Sequence, residues 1–218
     1  MGNQEDLLEI IKNASPEEAE QYLLALMPQL KIRMDPGRRP SWDSKFMLEA
    51  KLAVVRSTCI SRPTGAVIVR DNRILTTGYN GALSGMPDCL SDGACYRRAY
   101  NLPEGPSKYD FCRSSHAEKN AIAFAARDGI KIEGATLYCT LHPCIDCAKL
   151  IVASGIKEVV YELGYESGDK ERDNHWMKFL KDCKIKVRQY VPSELDKAYA
   201  IAFLAQEYTS ARMLKPQK

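Results

Sequence analysis

Two short stretches of this 218-residue chain hold residue types that together can activate water. "SSHAEKNAI" places His116 and Glu118 two positions apart where a helix should begin, and "LHPCIDCAKL" supplies Pro143, Cys144 and Cys147. With 11 prolines and 8 cysteines in the chain, only about 0.015 P-C-x-x-C matches are expected by chance. Alone, a C-x-x-C at a helix start reads equally as a redox pair, its thiol pKa lowered by the helix dipole, or as half of a zinc site. His116 favours the metal. One imidazole and two thiolates leave the fourth tetrahedral position open to water, which is the pattern of catalytic rather than structural zinc. Water on such an ion is acidified from 15.7 toward about 7 in favourable sites, and two helix N-termini nearby favour the anion. Glu118 supplies a group to accept the proton and pass it on. Two residues beyond His116 on a helix, it points about 200° round the axis, which places it beside the coordination sphere rather than in it.

The elements that must position these residues are legible in pattern. "SWDSKFMLEAKLAVV" carries Phe46, Met47, Ala50, Ala53 and Val54 at helical spacing. "GAVIVR" and "RILTTGYN" flank Asp71-Asn72 as the strands of a hairpin. Residues 81–112 then read as a loop rich in Gly, Pro, Ser and Cys, long enough that something must tie it down. After it, helix "HAEKNAIAFAARDG", strand "ATLYCT", helix "CIDCAKLIVASG", strand "KEVVY", helix "ERDNHWMKFLKDC" and strand "IKVRQYV" alternate. Such alternation predicts βαβ crossovers and a three-layer α/β/α fold on a mixed, largely parallel five-stranded sheet. Ser15, Pro16 and Glu18 form a capping-box start for a helix in the first 40 residues, which a Pro/Gly-rich linker separates from the main domain. The expected organisation is a helical extension at 1–40, a catalytic domain at 41–192 and a C-terminal helix at 193–218.

Composition excludes several classes. Apolar residues at 45% and charged residues at 27% are ordinary for a folded globular chain. A net charge of +3, spread along the chain, gives no basic face for nucleic acid. No run approaches the roughly 20 apolar residues of a membrane span, and the acidic start "MGNQEDLLEI" does not resemble a signal peptide, so a cytoplasmic protein with reduced thiols is expected.

H-x-E…P-C-x-x-C is the signature of zinc deaminases acting on cytosine or adenine. With it stand "RSTC", "TGYNGALSGMPDC", "FCRSSHAEKNAI", "LYCTLHPCIDCAKLI" and "GIKEVVY". Taken together, from about Arg39 to Val191, the chain resembles the deoxycytidylate (dCMP) deaminase family, including the bacterial late-competence proteins related to it. The resemblance implies a cytidine-deaminase-like fold, hydrolysis of dCMP to dUMP and ammonia, and a homo-oligomer, hexamer or dimer. It implies that His116, Cys144 and Cys147 hold Zn2+, with Glu118 moving protons between water, ring N3 and the leaving amine. Ala117 and Pro143 would line the pyrimidine pocket and Asn80 would bind the sugar. Arg56 is the candidate for the 5′-phosphate, with Tyr165 and Ser167 as weaker ones. Cys59, Cys89, Cys95 and Cys112 form a candidate structural zinc site that would pin the long loop, while Cys139 and Cys183 read as packing residues. Some relatives respond to dCTP and dTTP, and Arg127 matches a position similar to an effector contact. Two alternatives remain: a deaminase of dCTP or of a nucleic-acid base, and a non-catalytic zinc scaffold, which would have no use for Glu118.

Overall fold

The computed structural model describes residues 13–15, 18, 21, 40–100, 112–164, 170–193 and 196. The chain divides into two compact units, Met1–Ser41 with Pro192–Lys218, and Trp42–Val191. In the first unit the reciprocal cap is present: the Ser15 amide donates to Glu18 Oε2 (2.9 Å) and the Glu18 amide to Ser15 Oγ (3.2 Å). The remainder of the expected N-terminal helix lies outside the described residues, as does most of the C-terminal one.

In the second unit, helix α1 (Trp42–Val54) precedes the hairpin β1 (Gly65–Arg70) and β2 (Arg73–Tyr79). Asp71 and Asn72, at φ 51° and 57°, make the two-residue turn whose twist matches that of the strands. The 81–112 region is less featureless than its composition predicts. It contains the short β3 (Gly81–Ala82), which pairs with β4 (Ser114–Ser115), and the single-turn α2 (Tyr96–Ala99); residues 101–111 lie outside the described set. Then follow α3 (Ala117–Arg127), β5 (Thr136–Leu141), α4 (Ile145–Ala153), β6 (Glu158–Leu163), α5 (Lys170–Asp182) and β7 (Lys186–Gln189).

The five-stranded sheet runs β2-β1-β5-β6-β7. β1 is antiparallel to both its neighbours, whereas β5, β6 and β7 are mutually parallel. Four strands therefore share one direction and β1 opposes them. Alternate residues feed two cores, as a strand covered on both faces requires. Val67, Val69, Tyr138 and Val160 join Phe46, Met47 and Ala50 of α1 on one face. Ala66, Ile68, Leu137, Cys139, Val159 and Tyr161 face α3, α4 and α5 on the other. This is the three-layer α/β/α arrangement of the cytidine-deaminase-like fold. Among the described residues no helix is long and apolar enough to cross a membrane.

α1 is clamped to the sheet by charge as well as apolar burial. Arg188 on β7 donates to both oxygens of Asp43 in the first turn of α1 and to Glu158 on β6 (2.6 Å), and the Tyr138 hydroxyl donates to Asp43 (2.7 Å). The Arg188 guanidinium holds the Asp43 carboxyl below its ordinary value, against the opposing effect of partial burial. A depressed folded-state pKa stabilises above the unfolded value, about 3.9, and that stabilisation disappears as pH falls through the folded value. Asp43→Asn should therefore lower unfolding free energy by about 1 kcal/mol at pH 7, the screening of a partly exposed pair included. In urea melts the difference from wild type should shrink below about pH 4.

Candidate active site

β2 and β5 both oppose β1, so their carboxyl ends emerge at the same edge of the sheet, where ligands of open α/β folds collect. The chain leaves β5 at Leu141, passes His142 and Pro143, and begins α4 with Cys144 as N-cap. At the same edge β2 delivers Asn80, and after β4 the chain begins α3 with His116 as N-cap. The His116 imidazole and the Cys144 thiol are directed at each other from the two helix starts.

His116 Nδ1 lies 3.5 Å from Cys144 Sγ and 3.4 Å from Cys147 Sγ. Among the described residues these three form the group of His, Cys, Asp and Glu side chains whose donor atoms all lie within 4.8 Å of one another. Tetrahedral zinc with Zn–N near 2.05 Å and Zn–S near 2.3 Å requires N···S separations of about 3.6 Å, so the donor set fits that ion. Its protonation fits too. The Cys144 thiol is drawn down to about 3, first by the hydrogen bond from Cys147 and then by His116. The same Cys144–Cys147 bond, with burial, pushes Cys147 up, and the bond to Cys144 raises His116. A dication bound by the three donors would displace the protons they carry.

Glu118, the second residue of α3, is 3% exposed, and burial pushes its carboxyl above the ordinary range with the charge of His116 opposing. It lines a cavity of about 380 Å³ together with His116, Ala117, Cys144 and Asn80, a volume suited to a small molecule. Asn80 is buried. Its Oδ1 accepts from the Thr64 amide (2.8 Å) and the Ser57 hydroxyl (2.7 Å), and its Nδ2 donates to the Arg62 carbonyl (2.8 Å). In this way it organises residues 57–64 as one wall of the cavity.

Other expected residues are distributed less simply. Pro143 is fully buried, and its carbonyl accepts from His142 Nδ1 (2.9 Å); His142 lines the cavity and Pro143 does not. Arg56 is exposed just beyond α1 and is not among the lining residues. Arg127 is exposed, bonded to Asp128 (2.8 Å) and set over the Phe124 ring, also away from the cavity. Tyr165 and Ser167 lie outside the described residues. Cys59, Cys89, Cys95 and Cys112 all line the cavity. The Cys89 thiol is pushed up by burial first and then by its neighbours Cys95, Cys112 and Cys59, although the four sulfurs do not approach one another as the His116 donors do. Cys139 is buried in the core as a packing residue, whereas Cys183 is exposed. Sequence reasoning passed over Arg62, Arg97, Arg98 and His142, all at the cavity. The signal for two of them was the "CYRRAY" pair of adjacent arginines inside a loop whose other charged residues are four acids and one lysine.

One imidazole, two thiolates and a buried carboxylate, set at the carboxyl edge of an α/β/α sheet, define a catalytic type of zinc centre rather than a closed structural one. Residues 40–163 match the profile described as the cytidine and deoxycytidylate deaminase zinc-binding region, and the chain belongs to this family. It is 41% identical over 162 residues to deoxycytidylate deaminase of Schizosaccharomyces pombe, covering 74% of this chain and 48% of that protein. It is 43% identical over 127 residues to deoxycytidylate deaminase of Mycobacterium phage D29, covering 56% of this chain and 95% of that protein. The chain spans about half the length of the yeast relatives it matches. The crystal structure of dCMP deaminase from the cyanophage S-TIM5 in complex with dCMP and dUMP superposes with a TM-score of 0.54 at 29% identity, over 70% of this chain and 99% of that one.

The seat of α3 depends on one glycine. A Cβ at Gly78 would stand 2.2 Å from the Ala117 carbonyl oxygen and 2.6 Å from the Ala121 nitrogen, both backbone atoms. Gly78→Ala should therefore push α3 off β2, lowering stability by about 3 kcal/mol. Zinc retained on dialysis should fall with it, as thermal melts and metal analysis of the same sample would report.

Proposed function

We propose that the chain hydrolyses dCMP to dUMP and ammonia. The observation that carries this reading is the buried Glu118 carboxylate on the cavity wall beside the His116, Cys144 and Cys147 donors. Family membership and the likeness to a deaminase crystallised with dCMP and dUMP support the choice of substrate.

Zinc bound by His116, Cys144 and Cys147 supplies the Lewis acidity that makes water nucleophilic near neutral pH. The remaining work falls to the chain. Glu118 takes a proton from the attacking water and delivers it to N3 as the bond to C4 forms, then carries the proton of the new C4 hydroxyl to the exocyclic amine as the C4–N bond breaks and ammonia leaves. Burial suits it to this cycle, because a carboxyl with a raised pKa both accepts and releases a proton at modest cost. Asn80 and the 57–64 wall orient the sugar, and Ala117 at the first turn of α3 bounds the base.

A second zinc held by Cys59, Cys89, Cys95 and Cys112 is part of the proposal. Its support is that four thiols from three separate segments line one cavity in a region with little apolar core. Arg127, exposed on α3, remains the candidate contact for a dCTP or dTTP effector.

Purified protein should release ammonia from dCMP in preference to dCTP or a cytosine-bearing oligonucleotide, and turnover on the oligonucleotide alone would reject the proposal. Glu118→Gln should keep its catalytic zinc while kcat falls by about a thousandfold. Metal analysis should give near two zinc atoms per chain, with the second lost in a Cys89→Ser/Cys95→Ser variant; one atom per chain in the wild type would remove the four-cysteine site.

A further inference from the structure

The cavity carries more positive charge than deamination of a cytosine ring needs. Among the described residues, Arg62, Arg97 and Arg98 line it together with one carboxylate, that of Glu118, which the chemistry already uses. Two of the three guanidiniums come from α2, inside the cysteine-bearing insertion. That helix is anchored from several sides. The Tyr96 amide donates to Cys89 Sγ (3.5 Å). The Arg113 guanidinium sits 3.7 Å from the Tyr96 ring centroid and bonds to Asp92 (3.0 Å). Arg113 in turn immediately precedes β4, which leads into His116. A continuous set of contacts therefore relates the arginines to the metal ligands.

Arg98 donates to the Ser61 hydroxyl (3.1 Å), tying α2 to the wall that Asn80 organises. That neutral partner occupies one of the five N–H groups of a guanidinium, and the planar fork matches the paired oxygens of a phosphate monoester.

We propose that Arg98, assisted by Arg97, grips the 5′-phosphate of the substrate, so that the insertion rather than the α1 end with Arg56 selects a nucleoside monophosphate. The inference rests on the reading of the chain as a deaminase of dCMP. It assigns to residues 81–100 a function beyond holding cysteines: through α2 they bring to the cavity the charge that separates a nucleotide from its nucleoside.

The test is steady-state kinetics of the full zinc-loaded chain on dCMP and on deoxycytidine, with calorimetric titration of dUMP and deoxyuridine. R98A should raise KM for dCMP about 10- to 100-fold, the loss expected for one charge-assisted bidentate contact, with kcat within about threefold and a much smaller effect on KM for deoxycytidine, which meets the same wall but has no phosphate. Binding of dUMP should weaken by a similar factor and binding of deoxyuridine should not. R98K should recover part of the loss, since it keeps the charge without the fork. Wild-type KM for dCMP in R98A overturns the assignment, as does finding the loss in R56A instead; should R98A fail to fold, an unchanged KM in R98K overturns it equally. A wild type that ignores dCMP while deaminating another cytosine compound rejects the proposed function itself, whereas selectivity for dCMP that survives R98A rejects only the phosphate assignment.

Discussion

Two helices begin at nearly the same point in space, each with a metal ligand as its N-cap. His116 starts α3 and Cys144 starts α4, and their donor atoms come within 3.5 Å of each other. Four backbone N–H groups at each helix start have no intrahelical acceptor, so the electropositive ends of both helices meet where anionic oxygen must be stabilised. The cost is local. Two thiols and an imidazole crowd together, and a bound dication would balance the charge of the two thiolates. The close seat of α3 on β2 through Gly78 and the bond from Asn120 Nδ2 to the Tyr79 carbonyl (2.7 Å) hold one helix start in register with the other.

The reversed strand β1 makes this convergence possible. Because β1 opposes both β2 and β5, the strands flanking it release their chains on the same edge, one toward Asn80 and one toward Cys144. The pleat then sorts apolar residues into two separate cores, and the face holding α3, α4 and α5 receives the larger share. α1 has its extra ionic clamp on the opposite face, where among the described residues it is the one helix packed on the sheet.

Much of this is written in local sequence. The hairpin follows from Asp71-Asn72 between two apolar runs, and the ends of α3 and α4 from Gly129 and Gly155, both at positive φ. After α3 the Ile130 amide donates to the Ala125 carbonyl (2.8 Å) and the Gly129 amide to Ala126 (3.3 Å), the double bond of a glycine-ended helix. α5 ends the same way with Lys184 in the left-handed region, which no turn residue announces. The metal ligands and Glu118 are legible because metal chemistry restricts both residue type and spacing. The phosphate side is not. Arg56 is a plausible guanidinium by position in the chain, but a basic residue carries no local signature of the cavity it faces, and only tertiary packing brings Arg62, Arg97 and Arg98 there. The insertion resisted reading for the same reason: its order comes from Tyr96 contacts with Cys89 and Arg113 rather than from any periodic pattern.

His142 joins the cavity to the core behind it. Its ring lies flat on Trp176, with centroids 4.6 Å apart and planes 8° apart, and Tyr161 meets the indole edge-on. The chain has two tryptophans, and the other, Trp42, is more than half exposed on α1. An emitter shielded from solvent therefore sits one aromatic layer beneath the chamber, while its counterpart answers to bulk quenchers. The protein carries its own optical gauge of occupancy, readable without a label.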